Sequence, residues 1–189
     1  MNTTAILHRI ARIPRPARQR GLTLVEACIV LAVIVVVAGA ALPGMQQVID
    51  ARRLDGAATQ LATDIQFVRT EAVARNQPLR LAFQATSGGA CYVVHTGAAG
   101  ACTCAATGVA ACSGDGQAVK AVLLHAADRI GLESNVASVL FDPVHGTATP
   151  TGTVRVLGAR ERAVHHVVNV MGRVRSCSPR ATAPGYRAC

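Results

Sequence analysis

Between residues 22 and 42 every position is apolar or small except Thr23 and Glu26. Such a run would be about 32 Å long as a helix, enough to cross a bilayer. After Pro43-Gly44 the pattern changes. Leu54, Ala57, Leu61, Ile65, Val68 and Ala72 recur at spacings of three and four, which predicts one apolar stripe on a helix. Arg52, Arg53, Asp55, Asp64, Arg69 and Glu71 fall on its other faces. Asn76-Gln77-Pro78 predicts the stop, because the residue before proline avoids the helical region. From Leu79 the signals are those of strands, at 79–83, 91–94, 118–124, 138–141, 153–157 and 166–171. Between the second and third, 96–117 reads as a long loop of small residues without structure of its own, which its three cysteines would staple. The pattern predicts an α+β chain with four parts: 1–21, an apolar half-helix 22–43, an amphipathic half-helix 44–77, and a β-domain 78–189.

Composition narrows the picture. With three Phe, two Tyr and no Trp, the core must rest on Val, Leu, Ile and Ala. The net charge of +9 is uneven: Arg9, Arg12, Arg15, Arg18 and Arg20 precede the apolar run with no acid among them. That asymmetry places the N-terminus in the cytoplasm and exports everything after the run. Seven cysteines then matter: Cys28 lies in the run, and Cys91, Cys102, Cys104, Cys112, Cys177 and Cys189 follow it. Six exported cysteines imply disulfides, for which about 15 pairings are possible. Cys177–Cys189 is the pair we expect, since it would close a short loop over the C-terminal tail; the others stay open.

Glu26 needs a reason. A carboxylate in hydrocarbon costs roughly 2.5–3.5 kcal/mol, less near a helix end. An ordinary secretory signal, cleaved near Ala38-Gly39-Ala40, leaves it unexplained, and so does a plain anchor. The segment Gly21-Leu22-Thr23-Leu24-Val25-Glu26 with its apolar continuation resembles the class III leader of type IV pilins and secretion pseudopilins. The resemblance implies cleavage by a prepilin peptidase between Gly21 and Leu22 and methylation of the new terminus. Glu26 would then be the assembly glutamate, neutralised by a neighbouring subunit's N-terminal ammonium. The leader is longer than is common, and Leu stands where Phe is usual at the first mature position. Pro43 falls where many pilins carry a proline.

The middle of the chain narrows the family. Arg69-Thr70-Glu71-Ala72, leading into Asn76-Gln77-Pro78-Leu79, looks like the stem end of the FimT/GspH group of minor pilins and pseudopilins. Phe141-Asp142-Pro143-Val144-His145-Gly146 is similar to that group's Phe-x-Pro-x-x-Gly turn. The resemblance implies the type IV pilin fold: a long N-terminal helix, transmembrane in its first half, packed on a C-terminal antiparallel β-domain.

Candidate chemistry is sparse. Cys102-x-Cys104 is too tight for the common zinc knuckle, and disulfides suit an exported chain better. His165 and His166 are adjacent on a strand and point to opposite faces, one packed and one exposed. Ser87-Gly88-Gly89 lacks the lysine of a phosphate loop. No enzyme activity, metal or cofactor is therefore expected. Gly172-Arg173-Val174-Arg175 differs: alternation puts both arginines on one side of an extended segment, and Arg180 and Arg187 follow without an intervening acid. Clustered guanidinium groups suit phosphate oxygens, although basic residues also guard edge strands. The GRxR segment resembles one that FimT-type minor pilins use to bind DNA. The resemblance implies a minor pilin that binds duplex DNA non-specifically for uptake in natural transformation, with other pilin subunits as partners. It would sit in the inner membrane, with its domain periplasmic, before assembly into a surface pilus. A GspH-like pseudopilin of a type II secretion system, purely structural, is the competing expectation, and an exported anchor of other purpose a third.

Overall fold

The computed structural model describes residues 23–189, and of residues 41–43 the backbone alone. Gly21 and Leu22 lie outside the described residues. The chain divides into two compact units, Met1–Leu42 and Pro43–Cys189. Helix α1, Leu24–Arg75, enters both.

In the first unit the described apolar side chains of α1, such as Val30, Ile34 and Val37, are exposed, and the helix is long and apolar enough to cross a membrane. Thr23 starts it: the Glu26 N–H donates to Thr23 Oγ1 at 3.2 Å. Glu26 therefore sits in the first turn, where the helix dipole favours an acid by about 0.3–1 kcal/mol. That offsets only part of the insertion cost. Its side chain makes no ion pair among the described residues.

In the second unit α1 buries Leu54, Ala58, Leu61, Ile65, Val68 and Ala72. Ala57 is half-buried and packs against the same cluster, so the expected stripe holds, with Ala58 buried fully beside it. The helix ends at Arg75 with Asn76 at φ 49° and the Gln77 N–H on Ala72 O at 3.1 Å, a Schellman closure. The strands are β1 (Leu79–Thr86), β2 (Gly89–His95), β3 (Cys102–Cys104), β4 (Ala110–Cys112), β5 (Ala118–His125), β6 (Gly131–Ser134), β7 (Ser138–Phe141), β8 (Ala148–Thr149), β9 (Gly152–Leu157), β10 (Ala163–Val168) and β11 (Val174–Cys177). They form two larger antiparallel sheets, ordered β5-β2-β1-β7-β8 and β11-β10-β9-β6. Leu81, Tyr92 and Phe141 from the first sheet, and Val154, Val156 and Val164 from the second, complete the core around α1. Burying each such side chain is worth about 1.5–3 kcal/mol, which binds stem and sheets into one unit.

Three expectations need correction. Asp64 does not face solvent: it is 3 % exposed, with Lys120 Nζ at 2.6 Å and the Tyr92 hydroxyl donating to it at 2.7 Å. Lys120 supplies the countercharge, with its Nζ also 6.0 Å from the centre of the Phe67 ring, so the carboxylate is paired rather than stranded. Burial, and then the bond to Asp64, push the Tyr92 phenol well above its ordinary range. Second, 96–117 is not a structureless loop. It carries the β3–β4 hairpin, with Cys102 bridged to Cys112 directly opposite and Cys104 bridged to Cys91 of β2. The hairpin's small residues have low strand propensity, so crosslinks supply what side-chain burial cannot. Third, the strand expected at 166–171 runs from Ala163 to Val168, and Val170 and Met171 are exposed in the turn that follows.

His166 is fully buried, with Nδ1 2.9 Å from Ser176 Oγ. Burial, with a smaller push from His165, lowers its pKa to about 4. A histidine kept neutral in the fold but free to charge when unfolded stabilises above the ordinary value of about 6.5. That stability, on the order of 2–3 kcal/mol, is lost as pH falls from about 6.5 to 4. Denaturant midpoints at pH 7 and 4.5 should differ accordingly, and His166→Gln should narrow the gap.

Candidate nucleic-acid interface

β10 and β11 form an antiparallel hairpin in register His165↔Cys177, Val167↔Arg175 and Val168↔Val174. Directly opposed residues share a face, so half-exposed Val167 marks the outer face on which Arg175 stands. β11 is the sheet's edge strand. The turn is closed by Asn169: its N–H donates to Arg173 O, its Oδ1 accepts the Arg173 N–H at 2.9 Å, and its carbonyl accepts the Gly172 N–H. Arg173 is thus held at the mouth of the turn and exposed, while Arg175 is exposed two residues on.

Gly172 is buried, at φ 68°. A Cβ there would meet Gly146 O at 2.5 Å and Arg69 Cδ at 2.9 Å. Only glycine lets this turn close against the β7–β8 turn.

The tail beyond β11 is docked. Cys177 and Cys189 are joined, the Ser178 N–H donates to Arg187 O at 2.8 Å, and the Ser178 hydroxyl donates to Ala163 O at 2.8 Å. Ala183 is buried, and the Tyr186 hydroxyl donates to Asp55 Oδ1 of the stem at 3.0 Å. The closed tail brings Arg187 to a groove of about 290 Å³ that Arg175 also lines, with Val167, Ser176 and the disulfide completing the walls. Arg180 is exposed in a short 3₁₀ turn, Pro179–Ala181, at φ 52°. Among the described residues Arg173, Arg175, Arg180 and Arg187 make no ion pair.

The register adds two residues that sequence spacing did not. His165 lies opposite Arg155 on β9 and Cys177 on β11, so Arg155 and His165 share the outer face with Arg175. Glu133 is 3.8 Å from Arg155, an exposed pair of small value. Partial burial, then Arg155, lower the His165 pKa. His165 therefore adds little charge to this face at neutral pH. No group of three or more His, Cys, Asp or Glu able to hold a metal is found among the described residues.

A long apolar-headed helix packed on antiparallel sheets, with an exposed glutamate in its first turn, defines a subunit of the type IV pilin and pseudopilin class. The chain belongs to the family described as type II transport protein GspH, which matches residues 57–172. The prokaryotic N-terminal methylation motif matches residues 16–42. The crystal structure of the type IV minor pilin FimU of Pseudomonas aeruginosa PAO1 shares the fold, at 18 % identity and a TM-score of 0.50, over 71 % of this chain and 95 % of that one. The minor pseudopilin EpsH from the type 2 secretion system of Vibrio cholerae aligns at 10 % identity and a TM-score of 0.48, over 67 % of this chain and 98 % of that one. No curated protein matches the chain in sequence. It is a minor pilin or pseudopilin of the FimT/GspH kind, a class whose members assemble with other pilin subunits.

Proposed function

We propose that this minor pilin binds duplex DNA non-specifically through the β10–β11 edge and its docked tail, for DNA uptake in natural transformation. The observation that carries the reading is the convergence of Arg175 and Arg187 on one groove, with Arg173 two residues before Arg175 and, among the described residues, no carboxylate paired to any of them. Gly172 shapes the turn, Arg180 widens the basic surface, and the Cys177–Cys189 bridge holds the tail in place. Guanidinium groups on a rigid edge suit backbone phosphates. Neither β10 nor β11 carries Phe, Tyr or Trp, and the tail's Tyr186 is tied to Asp55 of the stem, so stacking on single strands is not the mode we propose. A mobility-shift titration with unrelated duplexes tests the reading: similar weak shifts support it, and none at low salt refutes it.

Prepilin peptidase would cut between Gly21 and Leu22, and the mature chain would sit in the inner membrane as a single pass, N-terminus cytoplasmic and domain periplasmic, before joining the pilus. Mass spectrometry of the membrane-extracted protein should find a chain starting at methylated Leu22; a start at Ala41 would mean an ordinary signal peptide.

The family match favours a second reading, a pseudopilin of a type II secretion system whose arginines guard an exposed strand edge. Absence of any salt-dependent DNA binding would select it.

A further inference from the structure

Three separated stretches meet at one side chain. Arg69 on α1 donates from Nε to Gly146 O at 3.0 Å, across 77 residues of sequence. Gly146, at φ 62°, approaches so closely that a Cβ there would lie 3.2 Å from Arg69 Nε. Gly172 closes from the other side, where a Cβ would lie 3.1 Å from the same nitrogen. The two turns are also tied directly, by the Ala148 N–H on Val170 O at 2.9 Å. Arg69 is half-buried and makes no ion pair among the described residues. Its nearest helical acid, Glu71, is taken by Arg75 at 2.6 Å. Ion pairing therefore does not account for this arginine; its contacts are to backbone.

We propose that Arg69 is a positioning residue for the β10–β11 hairpin, fixing Arg173 and Arg175 relative to the stem helix so that they meet a polyanion pre-arranged. This rests on the reading that the hairpin contacts DNA phosphates. A guanidinium suits the place because its Nε–H lies in the plane of a rigid fork, whereas a lysine ends in a mobile point charge. Fixing the hairpin from the stem removes motion that binding would otherwise have to freeze.

The experiment uses the full chain in non-ionic detergent, with wild type, Arg69→Met and Arg69→Lys titrated against one duplex at two salt concentrations. Hydrogen exchange at residues 169–173 is followed alongside. Positioning predicts a dissociation constant raised about fivefold to tenfold in the Met variant at both salts, with the salt slope unchanged, because no phosphate contact is deleted. Exchange at 169–173 should quicken about tenfold while β2 stays protected, which also shows that the variant is folded. The Lys variant should show the same faster exchange, so charge alone does not rescue the site; it also serves if the Met variant does not fold. A slope reduced by about 0.9 in the Met variant would make Arg69 a direct phosphate contact and overturn the proposal. Unchanged affinity beside a wild type that binds would overturn it too. If the wild type binds no duplex, the DNA reading fails by itself, and exchange alone decides: quicker exchange upholds positioning of the hairpin, and unaltered exchange sinks it.

Discussion

Gly172→Val is expected to destabilise the unit Pro43–Cys189 by about 4 kcal/mol, the largest stability effect of any substitution on the basic edge. Two independent costs add. A β-branched residue at φ 68° pays roughly 1–3 kcal/mol for the left-handed backbone. The new Cβ would also lie 2.5 Å from Gly146 O, a backbone atom that can move only by opening the Arg69 contact. Overpacking of this kind typically costs a further 1–3 kcal/mol. The melting temperature should fall about 2–4 °C per kcal/mol for a unit of this size. Gly185→Val is the control, since Gly185 has φ 88° but open space around its Cβ position and should show the backbone cost alone. Equal loss in both variants would remove the steric half of the argument.

Glu26→Ala should have the largest functional effect. Insertion should be undisturbed or improved, since the apolar run loses its one charge. Incorporation into filaments should fall at least tenfold, because the unpaired terminal ammonium of a neighbour would be left without its carboxylate in a low-dielectric core. The helix-terminal stabilisation of Glu26, about 0.3–1 kcal/mol, is too small to account for such a loss. Glu26→Gln separates the two further, keeping size and hydrogen bonding but not charge. Quantification in sheared filaments against wild type is the check, and wild-type levels of either variant would end the pairing account.

How much of this was legible in the sequence follows from the range of each interaction. The stem was readable because a period of three to four over Leu54, Leu61, Ile65, Val68 and Ala72 is local. The stop at Asn76 was readable for the same reason. Asp64 was misplaced by its charge: it lies three residues after Leu61 and four before Val68, beside the stripe, but the partners that let it be buried there, Lys120 and Tyr92, lie on strands far along the chain. The β3–β4 hairpin escaped notice because the alanine and glycine that dominate it carry no strand signal, and its order comes from two cross-links. At the site, Arg173 and Arg175 were visible as a basic pair two apart. Arg155 and His165 join them only through strand register, which spacing along the chain does not contain. Arg69 and Gly172 appeared within separate motifs; that they share one contact is a property of the fold.

On the function proposed above, the arginine edge holds duplex DNA by its phosphate backbone. The most direct test is a titration of the full chain with duplex DNA at two or more salt concentrations, wild type beside Arg173→Gln/Arg175→Gln. The account predicts wild-type dissociation constants around 10⁻⁴–10⁻⁶ M and a log–log salt slope of roughly −2 to −4. The double variant should fold normally and flatten that slope by nearly two units. Superimposable curves for the two proteins would contradict the account and leave the arginines as guards of an exposed strand.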